Sequence, residues 1–245
     1  MKILLAPSET KNAGGKLPFN PYNLLFEDLA PYRVKLLHTY INVLQKDDIK
    51  ILSKMFGIKK DTDILKYKKD ITNELTMKAI ERYTGVAFDY LGYKELTNKA
   101  QNYIDEHVII FSNLFGPIKA SDKIPNYKLK QGEPIREIKT EKFYHEHSTH
   151  LMDKLLEEEE ILDLRAGFYD KFYKPSKSYT TLKFIKKGKV VSHWAKAYRG
   201  IVLKEIAKAN LNNISEIMNH PINGLNLHEI QIKKNKTEII YTIDI

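Results

Sequence analysis

Three short polar runs concentrate the residue types that handle anions: Pro7-Ser8-Glu9-Thr10-Lys11, Arg165-Ala166-Gly167-Phe168-Tyr169 and Ala195-Lys196-Ala197-Tyr198-Arg199-Gly200. Each follows an apolar, β-rich stretch, at residues 2–6, 161–164 and 190–194. Side chains just past the carboxyl ends of parallel strands converge on one rim of a sheet, where ligands bind. If these strands are neighbours, Ser8, Glu9, Lys11, Arg165, Tyr169, Lys196 and Arg199 share a pocket. Its cations, with the start of the helix that the third run opens, favour a phosphate or a similar anion. Glu9 and Tyr169 add groups able to move a proton. Ordinary solvated loops carry the same residue types, so the spacing by itself leaves both accounts open.

A second chemistry is phosphate capture by backbone. Phe115-Gly116-Pro117, inside Ile109–Lys119, and Phe56-Gly57-Ile58, followed by Lys59-Lys60, are tight apolar–glycine turns. Between two structured segments such a turn aims N–H groups at a nucleic-acid phosphate; the same pattern also ends helices. His145, His147 and His150 form the one histidine cluster. On a helix residues 147 and 150 share a face while 145 does not join them, and the spacing is not the His-Glu-x-x-His type. A solvated face, with no metal, is the expectation. Gly14-Gly15-Lys16 lacks the first glycine and trailing hydroxyl of a phosphate loop. No Ser-His-Asp order or dinucleotide fingerprint is present, so no reaction and no cofactor is written in the motifs.

The elements that must position these residues belong to a chain of 245 residues without cysteine. That absence excludes a disulfide scaffold, a thiol nucleophile and a thiolate zinc site. Lysine and arginine number 40 against 31 acidic residues, a net charge of +9. The excess favours a polyanionic partner. Yet only five of the 40 are arginine (Arg33, Arg82, Arg136, Arg165, Arg199), and the abundant lysine also reads as the usage of an AT-rich genome. No apolar stretch approaches the roughly 20 residues of a spanning helix, and the apolar start is too short for a signal peptide. A soluble, cytoplasmic protein that avoids membranes is expected.

Strands are predicted at residues 2–6, 107–111 and 161–164, in a hairpin of 179–185 with 190–194 around Lys186-Lys187-Gly188-Lys189, and in a second hairpin of 229–233 with 237–243. Helical spacing covers 23–45, interrupted or begun by Pro31, then a helix opened by Asp47-Asp48 and closed by Gly57. Further helices are predicted over 70–82, 94–106, 140–160 and 198–210. No linker or repeat divides the chain. The pattern predicts one compact α+β domain over residues 1–245, a mixed sheet surrounded by helices.

Several of these segments carry a family resemblance. Leu4-Leu5-Ala6-Pro7-Ser8-Glu9-Thr10-Lys11, Tyr83-Thr84-Gly85, Ser112-Asn113-Leu114-Phe115-Gly116 with Asp122 and Tyr127, Asp163–Tyr169 and Ser192–Gly200 follow in the order of the YaaA-like proteins, which the chain resembles from residue 4 to about residue 200. The resemblance implies a cytosolic protein of the peroxide response that limits unincorporated iron and oxidative DNA damage. It also implies a DNA-binding surface with a helix-hairpin-helix-like element. Family members often carry arginine where this chain has Lys119 and Lys128, a change that keeps charge and loses the planar fork. The histidine cluster matches no family motif.

Three functions follow as expectations. The first is a binder of double-stranded or structured DNA, using Ser8, Lys11, Gly116, Lys119, Lys128, Arg165, Tyr169, Lys196 and Arg199. The second is an enzyme acting on a nucleotide, a nucleobase or another phosphate-bearing small anion at the rim. The third is iron sequestration by His145, His147, His150 and nearby carboxylates. A close pocket joining the three polar runs favours the second; loops splayed over separate surfaces exclude it.

Overall fold

The computed structural model describes residues 1–46 and 48–244, without the side chains of Ser192 and His193. Asp47, the first half of the predicted helix-opening pair, lies outside the described residues. Strands form over Lys2–Leu5 (β1), Met77–Lys78 (β2), Val108–Ser112 (β3), Gly116–Lys119 (β4), Lys123–Ile124 (β5), Ile161–Asp163 (β6), Tyr179–Lys186 (β7), Lys189–Val190 (β8), Leu225–Lys233 (β9) and Lys236–Ile243 (β10). Helices form over Ala30–Lys46 (α1), Ile49–Phe56 (α2), Asp61–Leu65 (α3), Ala79–Arg82 (α4), Val86–Leu91 (α5), Asn98–His107 (α6), Thr140–Leu156 (α7), Ser192–Ala209 (α8) and Ile214–Asn219 (α9).

The main sheet has the order β4-β3-β1-β6-β7-β10-β9, with β8 folded back on β7. Its five central strands, β3, β1, β6, β7 and β10, run parallel, and β4 and β9 close the edges antiparallel. This mixed sheet flanked by helices is the α+β architecture expected from the sequence. Of these, β1, β3 and β6 are short and mostly apolar, and every residue of β3 and of β6 is buried. Such runs are what strands covered on both faces require. A consequence is that Leu5, Ser112 and Asp163 end side by side, at one rim.

Helix ends are fixed by local chemistry. Asp48 accepts from the N–H groups of Lys50 and Ile51 at the start of α2, and Thr97 caps α6. Gly57 ends α2 in the left-handed conformation, donating to the Lys54 carbonyl, while the Ile58 N–H reaches Ser53. Pro31 sits inside the first turn of α1, where its missing N–H costs nothing.

Three expectations are corrected. Residues 70–82 are not one helix. Ile71–Asn73 form a 3-10 turn and Met77–Lys78 a strand; the Arg82 guanidinium, donating to the carbonyls of Asn12, Gly14, Leu75 and Ile124, pins the segment just before α4. The strand expected over 190–194 stops at Val190, and Ser192 already belongs to α8, so the third polar run lies within that helix's first half. The turn at Gly116 joins two strands, β3 and β4, rather than two helices. There Ser112 Oγ accepts from the N–H groups of Leu114 and Phe115, and the Tyr144 ring packs against Gly116. That turn is buried and offers no N–H to a phosphate.

Candidate functional site

The rim is built from the β1 end upward. Past Leu5 the chain makes a tight Ser8–Thr10 turn, in which Ser8 Oγ accepts from the Thr10 N–H at 3.2 Å and meets Thr10 Oγ1 at 3.1 Å. Gly85, at φ 98°, backs onto this turn so closely that a Cβ there would lie 3.2 Å from Ser8 Oγ. Gly85 starts α5, and Gly200 in α8 lets that helix lie directly on the Ala87 carbonyl. Two glycine contacts thus draw β1's loop, α5 and α8 together. They carry Arg199, one residue before Gly200, to the rim beside Ser8 and Glu9.

Two adjoining clefts result. One, of about 370 Å³, is lined by Pro7, Ser8, Glu9, Val86, Phe88 and Tyr169 among others. The other, of about 450 Å³, lies over β6 and β7 and includes Asp163, Asp170, Thr181, Lys183 and Glu238. Ala166, Lys196 and Arg199 line both. Both volumes fall in the range of small-molecule sites. Among the described residues Lys196 and Arg199 have no hydrogen-bond or ion-pair partner. Burial pushes the Arg199 guanidinium's pKa down, opposed by Asp163. An arginine nonetheless stays charged, so the clefts meet at a half-buried cation that no described side chain pairs with directly.

The remaining expected residues divide. Arg165 borders the second cleft, but its guanidinium is spent: it forks onto Asp163 at 2.7 and 2.9 Å, donates to the Tyr169 and Tyr173 carbonyls and stacks on Phe111. It is a brace, not an anion ligand. Lys11 folds under the β1 loop, donating to the Ser8 carbonyl and lying 4.0 Å from the Tyr127 ring centre. Burial, then Lys128, holds its ammonium well below the usual lysine range. Lys128 itself donates to the Glu9 carbonyl at 3.2 Å. Tyr169 lines the cleft, but its phenol donates to Asn113 and burial raises its pKa, so it keeps its proton. Lys119 pairs with Ile109, at the opposite end of β3 from the rim, and does not join the others.

The histidines do not converge on one point: His147 stacks on Tyr32 at 4.0 Å, while His145 and His150 are exposed. No group of three His, Asp or Glu side chains able to hold an ion occurs among the described residues. Conversely, Val86, Phe88 and Gln131 line the cleft and escaped sequence reasoning. The Tyr83-Thr84-Gly85 triplet was the one available signal, since it places α5 next to the β1 loop.

A further feature adjoins the rim. Helices α2 and α3 form a short pair around the Phe56-Gly57-Ile58 turn, and Lys130 packs beneath Gly57. The Lys130 N–H donates to the Met55 carbonyl and the next N–H, of Gln131, to Glu9 Oε1 at 3.1 Å. One strut therefore ties the glycine turn to the cleft.

Comparison with known proteins places these features in a family. The family model described as peroxide stress protein YaaA matches residues 1–231. An uncharacterized protein of Campylobacter jejuni is 48% identical over 244 residues, covering 99% of each chain. A UPF0246 protein of Corynebacterium efficiens is 33% identical over 216 residues, 84% of this chain and 85% of its own. A UPF0246 protein of Rickettsia conorii is 29% identical over 214 residues, 80% and 86% of the two chains. The chain belongs to the YaaA peroxide stress protein family.

Proposed function

We propose that this peroxide stress protein is a cytosolic DNA binder that lays a phosphate backbone across the rim, on Lys196 and Arg199. The observation that carries the reading is the pair of cations without partners among the described residues, where two clefts meet. Arg199 is half-buried and Lys196 exposed, so both can donate to a bound phosphate without leaving water entirely. The α2–α3 pair supports the reading from a second side. Its turn N–H groups are spent within the cap of α2, so what it offers a backbone one strut away from the cleft is the pair Lys59 and Lys60. Without cysteine the chain cannot reduce peroxide through a thiolate, which suits protection of a target over removal of the oxidant. Limiting free iron is, on this reading, an indirect effect, because the histidines face separate surroundings.

The test is fluorescence anisotropy with a labelled duplex of arbitrary sequence. Lys196→Ala with Arg199→Ala should weaken binding of all sequences alike, by roughly tenfold or more. Unchanged affinity in that double variant would remove the rim from the account. A second reading, an enzyme on a phosphate-bearing small molecule, is favoured by the closure of the polar runs around one cleft. Of the two proton carriers expected, Tyr169 is committed to Asn113 and Glu9 remains. Loss of any turnover of nucleotides in Glu9→Gln would support it.

A further inference from the structure

The two clefts differ in character on either side of Arg199. Toward β1 the walls are Leu5, Pro7, Val86, Phe88 and Leu164, with Ser8, Glu9, Thr10 and Gln131 among the polar lining; Glu9 is held by the Gln131 N–H. Toward β7 the walls are charged, but their charges are matched. Glu238 pairs with Lys236 at 2.8 Å and with Lys183 at 3.6 Å, and Asp163 with Arg165 at 2.7 Å. Only at the shared boundary, Lys196 and Arg199, does no described residue form an ion pair or hydrogen bond with the cation. A DNA backbone lying across the surface would use these cations and leave the apolar cleft beside them unfilled.

We infer that the cleft between the β1 loop and α5 takes a single nucleoside monophosphate unit, with its phosphate on Arg199 and Lys196 and its base against Pro7, Val86 and Phe88. The inference rests on the proposed phosphate role of the rim and deepens it. An apolar wall flanked by hydroxyls and an amide is the surface a base requires: a face to pack on and edges to bond. The cleft's volume, about 370 Å³, lies within the range that encloses small ligands. Its opening is set by Gly85 and Gly200, where side chains would push α5 away from the β1 loop and from α8. The unit is either a free nucleotide or one nucleotide of a strand turned out of its stack; the chemistry recognised is the same.

Calorimetry with deoxyadenosine monophosphate, ribose 5-phosphate and inorganic phosphate separates base from phosphate recognition. The nucleotide should bind about tenfold or more tightly than ribose 5-phosphate, the gain expected of one packed base. Val86→Trp fills the cleft and leaves both cations in place, so it should abolish that preference while inorganic phosphate binding persists. Ala6→Phe narrows the same cleft from the opposite wall, and melting curves show which of the two variants is folded. A duplex carrying 2-aminopurine distinguishes the sources. A fluorescence rise that is lost in Val86→Trp assigns the unit to a strand, whereas duplex affinity unchanged in Val86→Trp alongside lost nucleotide binding assigns it to a free nucleotide. Equal binding of nucleotide and ribose 5-phosphate, or nucleotide binding undiminished in both filled variants, overturns the inference. If Lys196→Ala with Arg199→Ala instead leaves phosphate and duplex binding intact, the rim reading itself has failed.

Discussion

Arg165 and Arg199 border the same cleft with opposite commitments, one forked onto a buried carboxylate and the other lining the cavity with no partner among the described residues. Removing Arg165 should therefore act on stability. Arg165→Met strands Asp163 as a buried, unpaired carboxylate, a loss of roughly 3–5 kcal/mol. Arg165→Lys should recover little of this because an ammonium cannot reproduce the fork. Thermal denaturation measures both, and a variant that loses DNA binding with unchanged melting would reassign Arg165 to the ligand. Lys11 gives a pH signature. Its ammonium is held below the ordinary 10.5, so between the lowered value and 10.5 the unfolded chain binds more protons than the folded protein. Stability then rises with pH across that window. Tyr83 and Tyr127 act in the opposite sense: burial raises both phenols, so above their ordinary value of 10.0 the unfolded chain loses protons that the fold retains. Melting temperature should climb on the alkaline side and fall beyond about pH 10. Lys11→Met should flatten the climb and leave the fall; a climb that persists in that variant contradicts the assignment.

At the scale of elements, the site depends on how closely α8 approaches α5. Gly200→Ala places a Cβ against the Ala87 carbonyl and must separate the two helices. Overpacking of this kind costs roughly 1–3 kcal/mol, and here it also displaces Arg199. Phosphate binding should weaken together with the melting temperature, whereas a change in melting alone would show that Arg199 tolerates the shift. The same contact explains what could be read beforehand. The strands and the polar runs after two of them were legible because apolar runs and turn residues are local signals: β1, β6 and β7 begin where expected. The start of α8 was not, since Val190, Val191 and Trp194 have strand composition and only the fold turns residues 192–194 into a helix. Residues 70–82 misled for a related reason: the helical spacing is real, but Arg82 draws on carbonyls as distant as Asn12 and Ile124. Glycines 85 and 200 were visible as letters in motifs, while their task, bringing three elements together, needed the third dimension.

For the whole molecule, net charge was a poor guide to the site. Of the 40 basic residues, Arg33, Arg82 and Arg165 are buried braces. Lys66, Lys208 and Lys236 sit in surface ion pairs, which contribute little. The claim that remains central is narrower than a basic face: Lys196 and Arg199 contact phosphate. Each phosphate neutralised releases counterions, so the slope of log affinity against log salt counts such contacts at about 0.9 per phosphate on duplex DNA. The direct measurement is that slope for the wild type and for Lys196→Ala with Arg199→Ala, on one labelled duplex across a salt series. The account predicts a steep wild-type slope that falls in magnitude by about one in the double variant, the share of the phosphate these two cations hold. Parallel slopes would contradict it, because the phosphates would then be held elsewhere on the protein.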